Sequence, residues 1–149
     1  MTLAQVNENA IIGISVRTNN SDEMQPQTSK IGGLWEKFYQ ELAPTLQEGA
    51  TVFGVYYNYE SDASGEYSFM AGSDMLEESK HTNLENVAIK SGKYLVFKET
   101  GEMPRVVINT WVKIWEYFSV DTQDYQRAYT TDFELYKNQN EIEIYIAVK

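Results

Sequence analysis

One acidic side chain in the C-terminal hairpin stands among rings. Residues 130–149 read TTDFELYKNQNEIEIYIAVK, in which two apolar, aromatic runs flank the polar turn KNQN. Side chains alternate across a strand, so Phe133 and Leu135 share one face and Glu134 shares the other with Tyr136. A carboxylate on a strand ordinarily faces water. A buried one has its pKa raised by desolvation and needs a cation or hydrogen-bond donors to hold it as an anion. No Lys or Arg stands within a strand position of Glu134, whereas Tyr phenols donate hydrogen bonds and aromatic faces attract cations. If buried, Glu134 is suited to a lipophilic organic cation, with ring stacking supplying contact area and the charge supplying orientation.

Other chemistries have little to stand on. The 149 residues contain no cysteine, which excludes disulfides, thiolate metal sites and cysteine nucleophiles. His81 is the single histidine and lies in a polar stretch, so neither a catalytic triad nor a haem ligand is expected. Glu77, Glu78 and Glu85 read as a solvated charge run, and no metal cluster, phosphate loop or nucleophile elbow is present in the sequence. No catalytic residue and no cofactor is expected. Net charge is −10 with no Lys/Arg stripe, which argues against nucleic acid as a direct partner. No apolar run approaches the ~18 residues of a membrane span and no export signal opens the chain, so a cytoplasmic protein is expected. Aromatics reach 13%, with eleven tyrosines and three tryptophans, more than a core requires and of the kind that lines sites for flat organic molecules.

The elements that must position Glu134 follow from periodicity. IIGISVR (11–17), TVFGVYYNY (51–59), EYSFMAGSDM (66–75) and KYLVFKET (93–100) read as strands, as do the two arms of the closing hairpin. SKIGGLWEKFYQELA (29–43) has helical spacing, weakened by Gly32 and Gly33 and stopped by Pro44. RVVINTWVKIWEYF (105–118) is helical, with Val107, Trp111, Ile114, Trp115 and Phe118 along one side. NNSDEMQPQTS and DTQDYQRAY read as loops, and LEESKHTNLENVAIKSG as a connector with little regular structure.

The order strand, helix, strand, strand occurs twice. WEKF at 35 matches WVKI at 111, FGVY at 53 matches FELY at 133, and FMAG at 69 matches YIAV at 145. We therefore expect an α+β fold of duplicated strand-helix-strand-strand units with pseudo-twofold symmetry. Each half has antiparallel strands and one long helix, and a ligand groove lies between the halves. The repeats run over about 8–76 and 92–149, joined by a polar connector within one ligand-binding domain spanning 1–149. Phe53, Val55, Phe133 and Leu135 are expected under the helices, with Gly54, Tyr56, Glu134 and Tyr136 facing the groove or the open side.

KYLVFKET with Gly101, the Trp-bearing TWVKIWEYF and the terminal DFELY…EIEIYIAVK together resemble the gyrase-inhibitor-like small-molecule-binding domains. These domains also serve as effector-binding domains of AraC- and MerR-type multidrug-responsive regulators. The resemblance spans nearly the whole chain and is strongest from Lys93 onward. It implies a ligand in the groove between halves, met by a buried glutamate on the penultimate strand, which here is Glu134. The aromatic walls carry over onto Trp111 and Trp115, Tyr136 and Tyr145, and Trp35, Tyr56 and Phe69. Ala147 stands where the family commonly has proline. With no room for a DNA-reading module before Ile11, the chain looks like a stand-alone member, similar to short acidic drug-binding proteins of integron gene cassettes. The function this implies is binding of hydrophobic cationic drug-like molecules, with a regulator or DNA-binding protein as a possible partner. Two alternatives stay open: a small-molecule hydrolase using Glu134 as general base, and an acidic protein that binds or inhibits another protein.

Overall fold

The computed structural model describes residues 1–76, 81–120 and 124–149. Eight strands form one antiparallel sheet: β1 (Thr2–Val6), β2 (Asn9–Thr18), β3 (Val52–Tyr57), β4 (Tyr67–Ser73), β5 (Glu85–Ile89), β6 (Gly92–Thr100), β7 (Thr131–Tyr136) and β8 (Glu141–Ala147). Their order across the sheet is β1-β6-β8-β7-β3-β4-β2-β5. The architecture is therefore α+β. The centre of the sheet is the β3–β7 pair, in which Gly54 lies opposite Glu134.

Helices cover one face. α1 (Asn20–Glu23) is a single turn, α2 (Ile31–Lys37) is short, and α3 (Arg105–Phe118) is the 14-residue helix that periodicity predicts. The segment after α2 is not one long α-helix. A π-helical turn at Phe38–Leu42 and a 3₁₀ turn at Ala43–Thr45 continue it, which buries Phe38 and Leu42 before Pro44 removes a backbone donor. α2 packs on Phe69 and Ala71 of β4. α3 buries Val106, Trp111 and Ile114 against Ile142, Ile144 and Ile146 of β8.

The face assignment expected from alternation is correct in phase and reversed in side. Phe53, Val55, Phe133 and Leu135 do not lie under the helices. They belong to a separate core on the opposite face, with Ile11, Met70, Ile89 and Tyr94. That face needs no helix because the sheet curls over it. Lys90, just beyond the far-edge strand β5, donates its backbone N–H to the Thr131 hydroxyl of β7 at 3.1 Å, and the Tyr94 hydroxyl meets the same oxygen at 2.8 Å. Two further strands were not expected. β1 pairs with β6, and β5 occupies the stretch read as an unstructured connector. Glu77 and Glu78 lie outside the described residues; Glu85 begins β5 and accepts from the Ser15 hydroxyl at 2.9 Å. His81 is half-buried with its ring nitrogen 2.7 Å from the Thr45 hydroxyl. Among the described residues no helix is long and apolar enough to cross a membrane.

Candidate functional site

Glu134 is 2% exposed. Alternation in β7 directs it to the helix-bearing face, at the midline of the sheet between α2 and α3. Its partner across the β3–β7 ladder is a glycine because the carboxylate takes up the space a side chain would need. A Cβ on Gly54 would stand 2.7 Å from Glu134 Oε1 and 2.8 Å from the Phe69 ring. The unequal residues at the matched positions 54 and 134 are thus two halves of one packing solution.

Three neutral donors converge on the carboxylate. The Tyr56 hydroxyl and Trp111 Nε1 each donate to Oε2 at 2.8 Å, and the Tyr136 hydroxyl donates to Oε1 at 2.7 Å. Tyr136 reaches it from two positions along the same strand, Tyr56 from β3, and Trp111 from the buried stripe of α3. No Lys or Arg among the described residues forms an ion pair with it. Burial pushes the Glu134 pKa up, and the hydrogen bonds from Trp111, Tyr136 and Tyr56 pull it partly back. The Tyr56 and Tyr136 phenols are raised well above their ordinary value by burial and by the Glu134 charge, so both remain protonated donors. Hydrogen bonds to a charged group contribute roughly 1.5–3 kcal/mol each, so three of them offset much of a desolvation penalty of several kcal/mol. They bring no positive charge, so the ionised carboxylate has no ion-pair partner among the described residues.

The carboxylate forms part of the wall of a pocket of about 1140 Å³. Trp35, Tyr56, Trp111, Trp115, Tyr136 and Glu134, all expected from the sequence, line it together. Their rings brace one another edge to face. Trp35 lies 5.2 Å from Tyr136, and Tyr56 lies 5.0 Å from Trp111. Phe69 is fully buried behind the wall, 4.8 Å from the Tyr56 ring, and supports it without lining it. Tyr145 is a correction. Being one residue out of phase with Ile144, which pairs with Glu134, it lies on the opposite face, stacked on Phe133 at 4.4 Å with its hydroxyl donating to Glu143.

Several lining residues come from stretches read as loops. Glu23 ends α1 and Met24 follows it as the C-cap, and Glu23 accepts backbone N–H bonds from Lys30 at 2.8 Å and Ile31 at 3.1 Å, capping α2 from across the loop. Arg127 comes from the segment before β7, also read as a loop, whereas Tyr59 and Tyr67 come from the β3–β4 hairpin, in stretches read as strands. Arg127 is 8% exposed and pairs with Asp132, Nη2 donating to Oδ2 at 2.6 Å. Its pKa is raised: burial lowers it, and Asp132 together with Tyr59 and Tyr129 more than offsets this. The sequence signal for this pair was a charge at each end of a short span, five residues apart. The sequence does not distinguish it from Glu134 as the partner.

Known proteins share this fold. A Vibrio cholerae integron cassette protein from the mobile metagenome superposes with a TM-score of 0.94 at 47% identity, covering 99% of this chain and 95% of the other. A Bacillus subtilis (strain 168) protein named "Putative transcriptional regulator protein YobU" is 28% identical over 150 residues, 92% of this chain and 90% of its own. The structure of SAV2435 bound to tetraphenylphosphonium shares the fold, with a TM-score of 0.75 at 22% identity over 99% of this chain and 93% of the other. The model of the Cass2 family, integron-associated effector binding protein, matches residues 2–148, and the chain belongs to that family.

Proposed function

We propose that this protein binds hydrophobic organic cations of drug size in the pocket between α2 and α3. Trp35, Trp111 and Trp115 supply stacking surface and Glu134 supplies the counter-charge. One observation carries this reading. A carboxylate 2% exposed is hydrogen-bonded by neutral donors alone, at the wall of an aromatic-lined cavity. A cation entering the pocket completes the pairing that the fold leaves open, and cation–π attraction to the tryptophan faces adds to it. The tetraphenylphosphonium held by SAV2435, a protein of the same fold, is a ligand of this class.

The site lies where two copies of one unit meet. The strand order reads the same from either end when β1–β4 are exchanged for β5–β8, and Gly54 and Glu134, matched in the internal repeat, are direct partners in the ladder. A pseudo-twofold axis then passes between them, and α2 with its continuation stands opposite α3 across the groove. Binding is favoured over hydrolysis because the three side chains that hydrogen-bond Glu134 engage both of its oxygens as donors, whereas a general base needs a free oxygen within reach of the proton it takes. A separate DNA-binding regulator is the partner class through which ligand capture would reach transcription.

Calorimetric titration of tetraphenylphosphonium into wild type and Glu134→Gln tests the proposal. The glutamine keeps the shape and can accept from Tyr56 and Trp111, while its amide donates to a rotated Tyr136 hydroxyl. Affinity is expected to fall by about tenfold or more, the worth of roughly 1.4 kcal/mol of charge interaction. Equal affinities would refute it.

A further inference from the structure

The pocket wall holds a second charged side chain whose hydrogen-bonding capacity the fold does not use up. A guanidinium has five N–H donors: one on Nε and two on each Nη. Arg127 commits Nη2, which donates to Asp132 Oδ2 at 2.6 Å and to the Tyr59 hydroxyl at 3.4 Å. Nε is buried, and neither it nor Nη1 donates to any group among the described residues. The side chain is 94% buried, being 6% exposed, yet Arg127 contributes to the pocket wall. Buried donors are almost always satisfied, so a buried guanidinium with spare donors beside a cavity calls for an explanation.

Its surroundings fix it in place. Backbone pairing with Val148 holds the segment, and the Tyr129 ring lies 4.5 Å from the guanidinium carbon. Tyr129 adopts a φ of +54°, in the left-handed region that tyrosine seldom occupies, and such backbone strain clusters at ligand sites. The guanidinium carbon also lies 6.0 Å from the ring of Trp111, the same indole whose Nε1 donates to Glu134. Glu134 and Arg127 are therefore polar anchors about one indole apart.

We infer that Arg127 is a second, specificity-determining anchor, taking an uncharged hydrogen-bond acceptor, a carbonyl oxygen above all, on the cation that Glu134 pairs. This rests on the cation-binding reading above. The charge of Arg127 is already met by Asp132, which also accepts from Tyr59 and from the Ala147 backbone N–H. A full anion would add a second uncompensated negative charge near Glu134 and has to give up its hydration. A carbonyl needs only a donor, which the free edge of Arg127 offers. The substrate class narrows from any lipophilic cation to one with an acceptor roughly a ring width from its charge.

The test uses two isosteric phosphonium cations, (4-acetylphenyl)triphenylphosphonium and its 4-isopropenyl counterpart, which differ by C=O against C=CH₂. Wild type is expected to bind the acetyl compound at least about fivefold more tightly, the effect of one charge-assisted hydrogen bond. That ratio should fall to about one in the Arg127→Met/Asp132→Asn double variant, which removes both buried charges together. A variant-free readout accompanies it: the guanidinium ¹⁵N resonances of Arg127 in wild type should shift with the acetyl compound and stay put with the isopropenyl one. Equal wild-type affinities, unmoved resonances, or a preference that survives in the double variant would each overturn the role of Arg127 and leave the cation reading standing. Failure of wild type to bind either compound would overturn both.

Discussion

Exchanging Glu134 for glutamine alters one charge and little volume, so its effects on folding and on binding separate. Because the folded pKa is raised, the native state holds the Glu134 proton more tightly than the unfolded chain does. Its contribution therefore favours folding at low pH and is lost as pH rises from the ordinary carboxylate value through the raised one. Wild type is expected to lose melting temperature across that interval relative to Glu134→Gln, which thermal unfolding at pH 4 to 8 would reveal. Ligand binding has the opposite dependence: affinity for a permanent cation rises through the same interval, because only the anion attracts it. Gly54→Ala addresses the neighbouring constraint. A methyl group 2.7 Å from Oε1 and 2.8 Å from the Phe69 ring should cost about 1–3 kcal/mol in urea unfolding and weaken cation binding by displacing the carboxylate. Alternation around one acidic residue was enough to place Glu134 and Tyr136 on a common face. Tyr145 was misread because the hairpin register, Glu134 opposite Ile144, depends on the turn and not on composition. Arg127 was not singled out because its importance comes from burial beside Tyr59 and Trp111, both distant in sequence.

Among the elements, α3 was legible because its apolar positions recur with helical spacing over 14 residues. α2 was legible in place but not in form, since sequence periodicity does not separate an α-helix from one that loosens into a π turn at Phe38. β5 was hidden in a polar stretch because an edge strand has only one neighbour and one buried side, leaving few apolar positions to notice. The reversal of the two sheet faces has a similar origin. Alternation gives the phase, whereas the side that receives helices is decided by how the sheet curls. α1 and the start of α2 form a rim of the pocket through a single side chain, Glu23. Glu23→Ala leaves the Lys30 and Ile31 amides uncapped and should destabilise by about 1 kcal/mol. Hydrogen exchange should rise at residues 30–34 and leave α3 unchanged.

For the whole molecule, the net charge of −10 and the buried carboxylate make different predictions about salt. Attraction of a cation to a diffuse surface charge is screened within about 10 Å at 0.1 M salt, whereas a buried pair is screened much less. Affinity for tetraphenylphosphonium should change by no more than about twofold between 0.1 and 0.5 M sodium chloride. A loss well beyond that would assign the interaction to the acidic surface. The decisive comparison holds shape constant and inverts charge: titration of wild type and Glu134→Gln with tetraphenylphosphonium and with tetraphenylborate, monitored by calorimetry. The account predicts that wild type binds the phosphonium and rejects the borate, and that Glu134→Gln narrows the difference by at least about tenfold. Comparable binding of both ions by wild type, or discrimination untouched by the substitution, would contradict it.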